Sequence, residues 1–223
     1  VATGTSSGKT ESFLYPVLLS MYQEFITGNP SWEELGVRAL ILYPMNALAN
    51  DQKDRLGKIR EALKEAGSSF SFTFGEYTGS TPKDEKDKER IGRNPPKPYP
   101  GEMVFRREMR SKPPHILLTN YSMLEFLLIR PEDSPLFDDG RAAHWRFIVV
   151  DEAHQYLGIR GTEIGMLMRR LKQRLIEGGR TQPATCIATS ATIVGRDKAI
   201  EPVCRFAETL FGDSFRPENV LLG

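Results

Sequence analysis

Two short stretches have the residue types and spacing for phosphate chemistry. The first is Thr3-Gly4-Thr5-Ser6-Ser7-Gly8-Lys9-Thr10. Its glycines let backbone N–H groups turn toward phosphate oxygens, so residues 4–10 read as an anion cradle. Lys9 has the reach to meet β- and γ-phosphates, and the Thr10 hydroxyl is a hard oxygen ligand for Mg²⁺. Thr3 stands where the strict pattern has glycine, so this is a looser form of the loop. The second stretch, Asp151-Glu152-Ala153-His154, directly follows the apolar run Phe147–Val150. A carboxylate at Asp151 can hold Mg²⁺ through its waters, opposite Thr10. Glu152 is placed to accept a proton from an attacking water. No second His or Cys lies at ligand spacing from His154, which reads as a hydrogen-bonding partner of a neighbouring loop rather than a metal ligand. Loop and acidic stretch together, in this order, imply a bound nucleoside triphosphate with Mg²⁺.

The elements that must carry these residues alternate along the chain. Val37–Tyr43, His115–Leu118, Phe147–Val150 and Ala184–Ala188 are short continuous apolar runs, as expected for strands of a parallel sheet covered on both faces. In Ser69–Tyr77, Phe70, Phe72 and Phe74 alternate with smaller or polar residues, which predicts a strand with one wetter face. Ile164, Leu167, Met168, Leu171 and Leu175 follow helical spacing up to Gly178-Gly179. Leu48, Leu56, Ile59 and Leu63 form a second stripe. Phe13, Leu14, Val17, Leu18, Met21 and Phe25 form a third, in which Pro16 predicts a kink. This alternation predicts an α/β fold with a mostly parallel sheet between helices, and ligands at the carboxyl ends of its strands.

Composition bounds the rest. The 223 residues suit one domain with a single core, and 39% hydrophobic and 26% charged residues are ordinary for a globular protein. No apolar run approaches a membrane span of about 20 residues, and no signal pattern opens the chain. The expected setting is intracellular, cytoplasmic in a bacterial-type cell, with Cys186 and Cys204 reduced and too far apart for a zinc pair. Net charge is +1, so any nucleic-acid surface must be local. The chain opens on Val1, at the expected end of the strand before the phosphate loop, and reads as a piece of a longer protein. Residues 81–113 break the rhythm: rich in proline, with ten Lys/Arg against six Asp/Glu, they read as a solvated insertion. Residues 193–223 read as a helix and a final strand.

In order and over nearly its whole length, the chain resembles the first RecA-like lobe of a superfamily 2 helicase of the DEAD/DEAH-box type. Residues 3–10 resemble motif I, Tyr43-Pro44-Met45-Asn46-Ala47-Leu48-Ala49-Asn50-Asp51-Gln52 motif Ia, and Tyr77-Thr78-Gly79 motif Ib. Leu118-Thr119-Asn120-Tyr121-Ser122-Met123-Leu124 resembles the next nucleic-acid motif. Asp151–His154 is motif II as a literal DEAH box, and Ser190-Ala191-Thr192, after Thr189, is motif III. The glycine–serine form of the loop, the Asn-Tyr-Ser-Met-Leu wording and Gly161–Arg170 resemble the YprA-like repair-helicase branch; a defence-system helicase of similar build is the alternative.

The resemblance implies a three-layer RecA-like domain over residues 1–223, with ATP and Mg²⁺ as cofactors. It implies that Ser190 and Thr192 relay nucleotide state through His154. It also implies a nucleic-acid strand, DNA in single-stranded or duplex form, along Asn46, Thr78, Gly79, Thr119 and Asn120, held mainly by its backbone. Arg106, Arg107 and Arg110 are expected to add electrostatic attraction there. The remaining partner is a second RecA-like lobe carrying an arginine finger, without which this piece is expected to be nearly inactive. Two other function classes share part of the pattern: a non-catalytic nucleotide-gated binding module, and a P-loop kinase of a small molecule. Intact Lys9, Asp151 and Glu152 argue against the first; the DEAH and Ser-Ala-Thr stretches are unneeded by the second.

Overall fold

The computed structural model describes residues 8–87, 98–190 and 200–221. Helix α1 (Lys9–Ile26) leads to β1 (Ala39–Tyr43), α2 (Asn46–Glu65) and β2 (Phe74–Glu76). Then come β3 (Glu102–Met103), α3 (Arg106–Ser111), β4 (Ile116–Asn120) and α4 (Tyr121–Ile129). Strand β5 (Phe147–Val150), α5 (Ile159–Glu177), β6 (Thr185–Ala188) and α6 (Ile200–Phe211) complete the described order. All six strands form one sheet in the order β3-β2-β4-β1-β5-β6, and every pairing is parallel. Parallel neighbours need crossover connections, which the intervening helices supply.

The apolar runs are buried because both sheet faces are covered. Along β1, Ala39, Ile41 and Tyr43 point to one face, where Phe13, Val17 and Met21 of α1 and Leu56 of α2 pack. Leu40 and Leu42 point to the other, against Leu124 and Leu127 of α4 and Met168 and Leu171 of α5. Ile116 and Leu118 share the first face and Leu117 the second, as period-two alternation requires. The five anchors of the predicted stripe in α5 are buried, and Gly178 caps that helix. Helix α1 runs through Pro16 without ending, with the proline on its exposed side.

The structure corrects three expectations. The strand predicted over Ser69–Tyr77 pairs only at Phe74–Glu76; Phe70 and Phe72 are buried but pack in an aromatic cluster with Tyr22, Phe25 and Trp32. The second half of 81–113 is not a solvated loop. It supplies the edge strand β3 and helix α3, and buries Met103 and Met109 in the core. Third, Pro217–Asn219 is a single 3₁₀ turn, and no final strand forms among the described residues. Among those residues, no helix is long and apolar enough to cross a membrane.

Candidate functional site

The site grows from the carboxyl ends of β5 and β6. Asp151 follows β5 directly, and its N–H continues the ladder to Leu42 O at 3.0 Å. Asp151 is 6% exposed. Oδ1 accepts from the Glu152 N–H at 3.0 Å and from the Thr189 hydroxyl. Thr189 is fully buried and binds this tip from several sides. Its N–H donates to Val150 O at 3.0 Å, its carbonyl accepts from the Ala153 N–H at 2.8 Å, and its hydroxyl also accepts from the Glu152 N–H at 3.3 Å. Glu152 therefore has its N–H shared between Asp151 and Thr189, and its backbone sits at φ 50. A left-handed conformation costs a residue with a side chain roughly 1–2 kcal/mol, and such geometry persists where surrounding bonds over-determine it.

The neighbours of this carboxylate pair are specific. His154 Nδ1 lies 3.2 Å from Glu152 Oε2, so the ring faces its own segment rather than the neighbouring loop expected from sequence. Tyr43, at the end of β1, is fully buried. Its phenol is pushed well above the ordinary range, first by burial and then by the Asp151 charge, with Arg55 opposing. The hydroxyl therefore stays protonated beside Asp151.

The phosphate-loop side is partly described. Gly4, Thr5, Ser6 and Ser7 lie outside the described residues, as does Thr192. Gly8 adopts the left-handed backbone at φ 72 that ends the loop, and Lys9 opens α1. The loop therefore ends at a helix N-terminus, where partial positive charge favours an anion. The half-buried Thr10 hydroxyl accepts from Gln52 Nε2 of α2 at 3.3 Å. One turn away, Arg55 of α2 pairs with Glu11 of α1. Ser190 is buried at the end of β6. Thr189 and Gln52 carry bonds at the site that the sequence reading assigned no role. The parallel register Val150↔Ala188 places Thr189 next to Asp151, and that register was the signal that could have found it.

The residues expected to face a nucleic-acid strand gather at the same edge of the sheet. Asn46 opens α2 just after β1, and Asn120 ends β4 in register with Tyr43. Asn120 Nδ2 donates to Asn46 Oδ1 at 2.6 Å, and Asn120 Oδ1 caps α4 by accepting from the Met123 N–H at 2.7 Å. Gly79 and Asn46 are exposed. Thr78 and Thr119 are not: both are fully buried, with the Thr119 hydroxyl donating to Tyr77 O at 2.6 Å and that of Thr78 to Glu76 Oε1 at 3.0 Å. These two side chains hold the loop from inside and offer a ligand no surface. The arginines differ from expectation too. Arg106 is buried with its Nη2 on the Thr78 and Gly79 carbonyls, and Arg110 pairs with Glu132 and Asp133, which leaves Arg107 as the exposed one of the three.

The described parts of the motifs therefore gather at a single edge of the sheet, with the DEAH tip and the candidate strand face side by side. A family model of the DEAD/DEAH box helicases matches residues 1–199. This chain belongs to the DEAD/DEAH box helicase family. Its similarity extends to the Druantia protein DruE of Escherichia coli, 33% identical over 95% of this chain and 16% of that protein. The ATP-dependent helicase YprA of Bacillus subtilis is 32% identical over 97% of this chain and 24% of that protein. Among solved structures, the helicase MrfA bound to DNA and AMPPNP covers 96% of this chain and 24% of its own, with TM-score 0.63 and 29% identity. The Mycobacterium smegmatis helicase Lhr bound to ssDNA and AMP-PNP covers 92% of this chain and 22% of its own, with TM-score 0.59 and 25% identity. The resemblance read from the motifs is borne out, including the YprA-like wording, and so is the RecA-like α/β fold. This helicase-family chain spans about a quarter or less of the length of these relatives.

Proposed function

We propose that this chain is the ATP-binding lobe of an ATP-dependent helicase or translocase that moves along DNA. The observation that carries this reading is the tip of β5 and β6. A buried Asp151 and a strained, half-buried Glu152 are held there by Thr189, on the same sheet edge as the Asn46–Asn120 pair. Relatives solved with DNA and an ATP analogue support the choice of ligands.

The division of labour follows from the donors. Lys9 and the backbone of residues 4–8 bind the triphosphate. The Thr10 hydroxyl and the Asp151 carboxylate are hard oxygen donors, and one carboxylate with one hydroxyl suits a Mg²⁺ ion that shares its remaining sites with phosphates and water. When bound, the ion neutralises charge that develops on the phosphate oxygens. Glu152 accepts the proton as the water oxygen attacks the γ-phosphorus and the bond to the β–γ bridging oxygen breaks, giving ADP and phosphate. Ser190 and Thr192 pass the nucleotide state toward the strand face through His154. A second RecA-like lobe supplies the arginine finger, and ATP favours the closed arrangement of the two lobes.

The test is ATP hydrolysis by the full-length protein with and without single-stranded DNA. Stimulation by DNA is the expected result. Nucleotide binding without hydrolysis would make the chain a gated binding module, and phosphate appearing on a small-molecule acceptor would make it a kinase.

A further inference from the structure

Tyr43 ends β1 and is fully buried, yet its hydroxyl has no hydrogen-bond partner among the described residues. Native interiors leave few polar groups in that state, and each calls for a water, an ion or a ligand. Packing does not require the oxygen, because a phenylalanine ring has the same shape.

The register of the sheet shows what the hydroxyl stands beside. Strand β1 pairs with β5 so that Ile41 lies opposite Val149 and Leu42 opposite Val150. Leu42 O accepts from the Asp151 N–H at 3.0 Å, so the pairing runs on one step and sets Tyr43 beside Asp151. Ile41, Tyr43 and Val149 line one face of the sheet. Alternation carries Asp151, two residues after Val149, onto that face as well. The charges that act on the Tyr43 phenol are those of Asp151 and Arg55.

Two helices cover this face, and each turns a polar residue toward it. On α1, Thr10 stands three and four residues before Phe13 and Leu14, which pack on the Tyr43 side of the sheet. On α2, Gln52 stands three residues after Ala49 and four before Leu56, which pack there too. Gln52 Nε2 donates to the Thr10 hydroxyl at 3.3 Å. Arg55, three residues further along α2, pairs with Glu11 of α1. Tyr43 therefore lies in the layer that has Asp151 on its sheet side and Thr10 on its helix side. These are the two hard-oxygen groups assigned to Mg²⁺ above.

Mg²⁺ gives up water reluctantly and keeps several waters where a protein supplies one or two oxygen ligands. Each of those waters is a strong donor that needs an acceptor, and a phenol oxygen is one. We propose that Tyr43 is a positioning residue for the metal: its hydroxyl accepts a hydrogen bond from a water that Mg²⁺ keeps between Thr10 and Asp151. Groups that hold a metal's own ligands in place in this way contribute to its affinity without touching it. This rests on the nucleotide-site reading given under Proposed function. Tyr156 supplies an internal comparison. Its hydroxyl is likewise buried and without a hydrogen-bond partner among the described residues, but its ring packs on the opposite face of the sheet.

The test uses the full-length protein and a fluorescent, non-hydrolysable ATP analogue, with nucleotide affinity measured across a Mg²⁺ series and again in EDTA. Tyr43→Phe is expected to raise the half-saturating Mg²⁺ concentration about tenfold, the lower end of what loss of such a supporting group costs. Affinity in EDTA should match wild type, and so should the melting temperature without metal, because the hydroxyl removed has no partner there. Tyr156→Phe should keep the wild-type Mg²⁺ dependence. Wild-type Mg²⁺ dependence in Tyr43→Phe overturns the proposal. So does an equal loss of affinity in EDTA, which would make the effect one of pocket shape. A Tyr43→Phe protein that fails to fold overturns it as well, by giving the hydroxyl a structural partner. A shift in Tyr156→Phe as large as that in Tyr43→Phe does the same, by removing the link to one face. Asp151→Asn separates the two readings. If it raises the Mg²⁺ requirement while Tyr43→Phe does not, the metal site stands and positioning by Tyr43 falls. If neither variant moves it, both fall.

Discussion

Replacing Thr189 by valine removes one hydroxyl and little else, because the two side chains share shape. The lost bonds are the donation to the Asp151 carboxylate and the acceptance from the Glu152 N–H. Thr189 is fully buried, so water does not take over either bond. A hydrogen bond to a charged group is worth about 1.5–3 kcal/mol. In a domain of this size each kcal/mol moves Tm by roughly 2–4 °C, so Thr189→Val should melt roughly 3–12 °C below wild type. The same loss frees Glu152 from one of the two bonds that hold its φ of 50, and a misplaced general base should lower kcat at saturating ATP at least about tenfold. Thr189→Ser keeps the hydroxyl and loses one methyl, a cost of about 0.8 kcal/mol, and should retain most of the turnover. The assay pairs thermal unfolding of this chain with DNA-stimulated turnover of the full-length protein. Wild-type values in Thr189→Val would refute the argument. A serine variant as impaired as the valine one would assign the effect to methyl packing.

Three further outcomes follow from the same geometry. Lys9→Ala should weaken nucleotide binding, whereas Glu152→Gln should bind normally and stop turning over, measured as nucleotide affinity and steady-state hydrolysis in the full-length protein; normal turnover in Glu152→Gln would remove its role as base. The isolated chain should hydrolyse ATP about 10³–10⁵ times more slowly than the full-length protein, the usual worth of an arginine finger, and equal rates would show that no second lobe is needed. Burial, with Arg38, Arg60 and Lys112 adding to it, holds the His115 imidazole down at about 3 from an ordinary 6.5. Its contribution to stability is complete above pH 6.5 and is lost as pH falls toward 3, because the unfolded chain then binds the extra proton. The slope reaches about 1.4 kcal/mol per pH unit. Urea unfolding at about pH 7 and 5 should show this for wild type and a flatter response for His115→Gln.

The sheet was legible because its strands are buried on both faces. Phe147–Val150 reads as an apolar run and forms β5 over those same residues, and β1, β4 and β6 differ from their runs by one or two residues at an end. The α5 stripe was legible for the related reason that one face of that helix meets the core along its length. Residues 98–113 were not. Composition counts charges without knowing what they face, and Arg106 faces carbonyls 27 and 28 residues earlier in the chain. The side chains of Thr78 and Thr119 were misjudged for a similar reason. A small polar residue after a strand suits an outer surface or an inner hydrogen bond equally, and only the packed β2–β4 edge selects the inner one.

These errors share a direction, and it bears on how the strand face works. Each residue moved from the surface to the inside is one that tethers a loop: Thr119 to Tyr77, Thr78 to Glu76, Arg106 to Thr78 and Gly79. What remains accessible is Asn46, Asn120 and Gly79, with Arg107 as the one exposed arginine of the three in α3. The Asn46–Asn120 bond ties the end of β4 to the start of α2, and α2 reaches Thr10 through Gln52. Hydrogen bonds through a single helix therefore join Thr10 at the start of α1 to Asn120 at the end of β4.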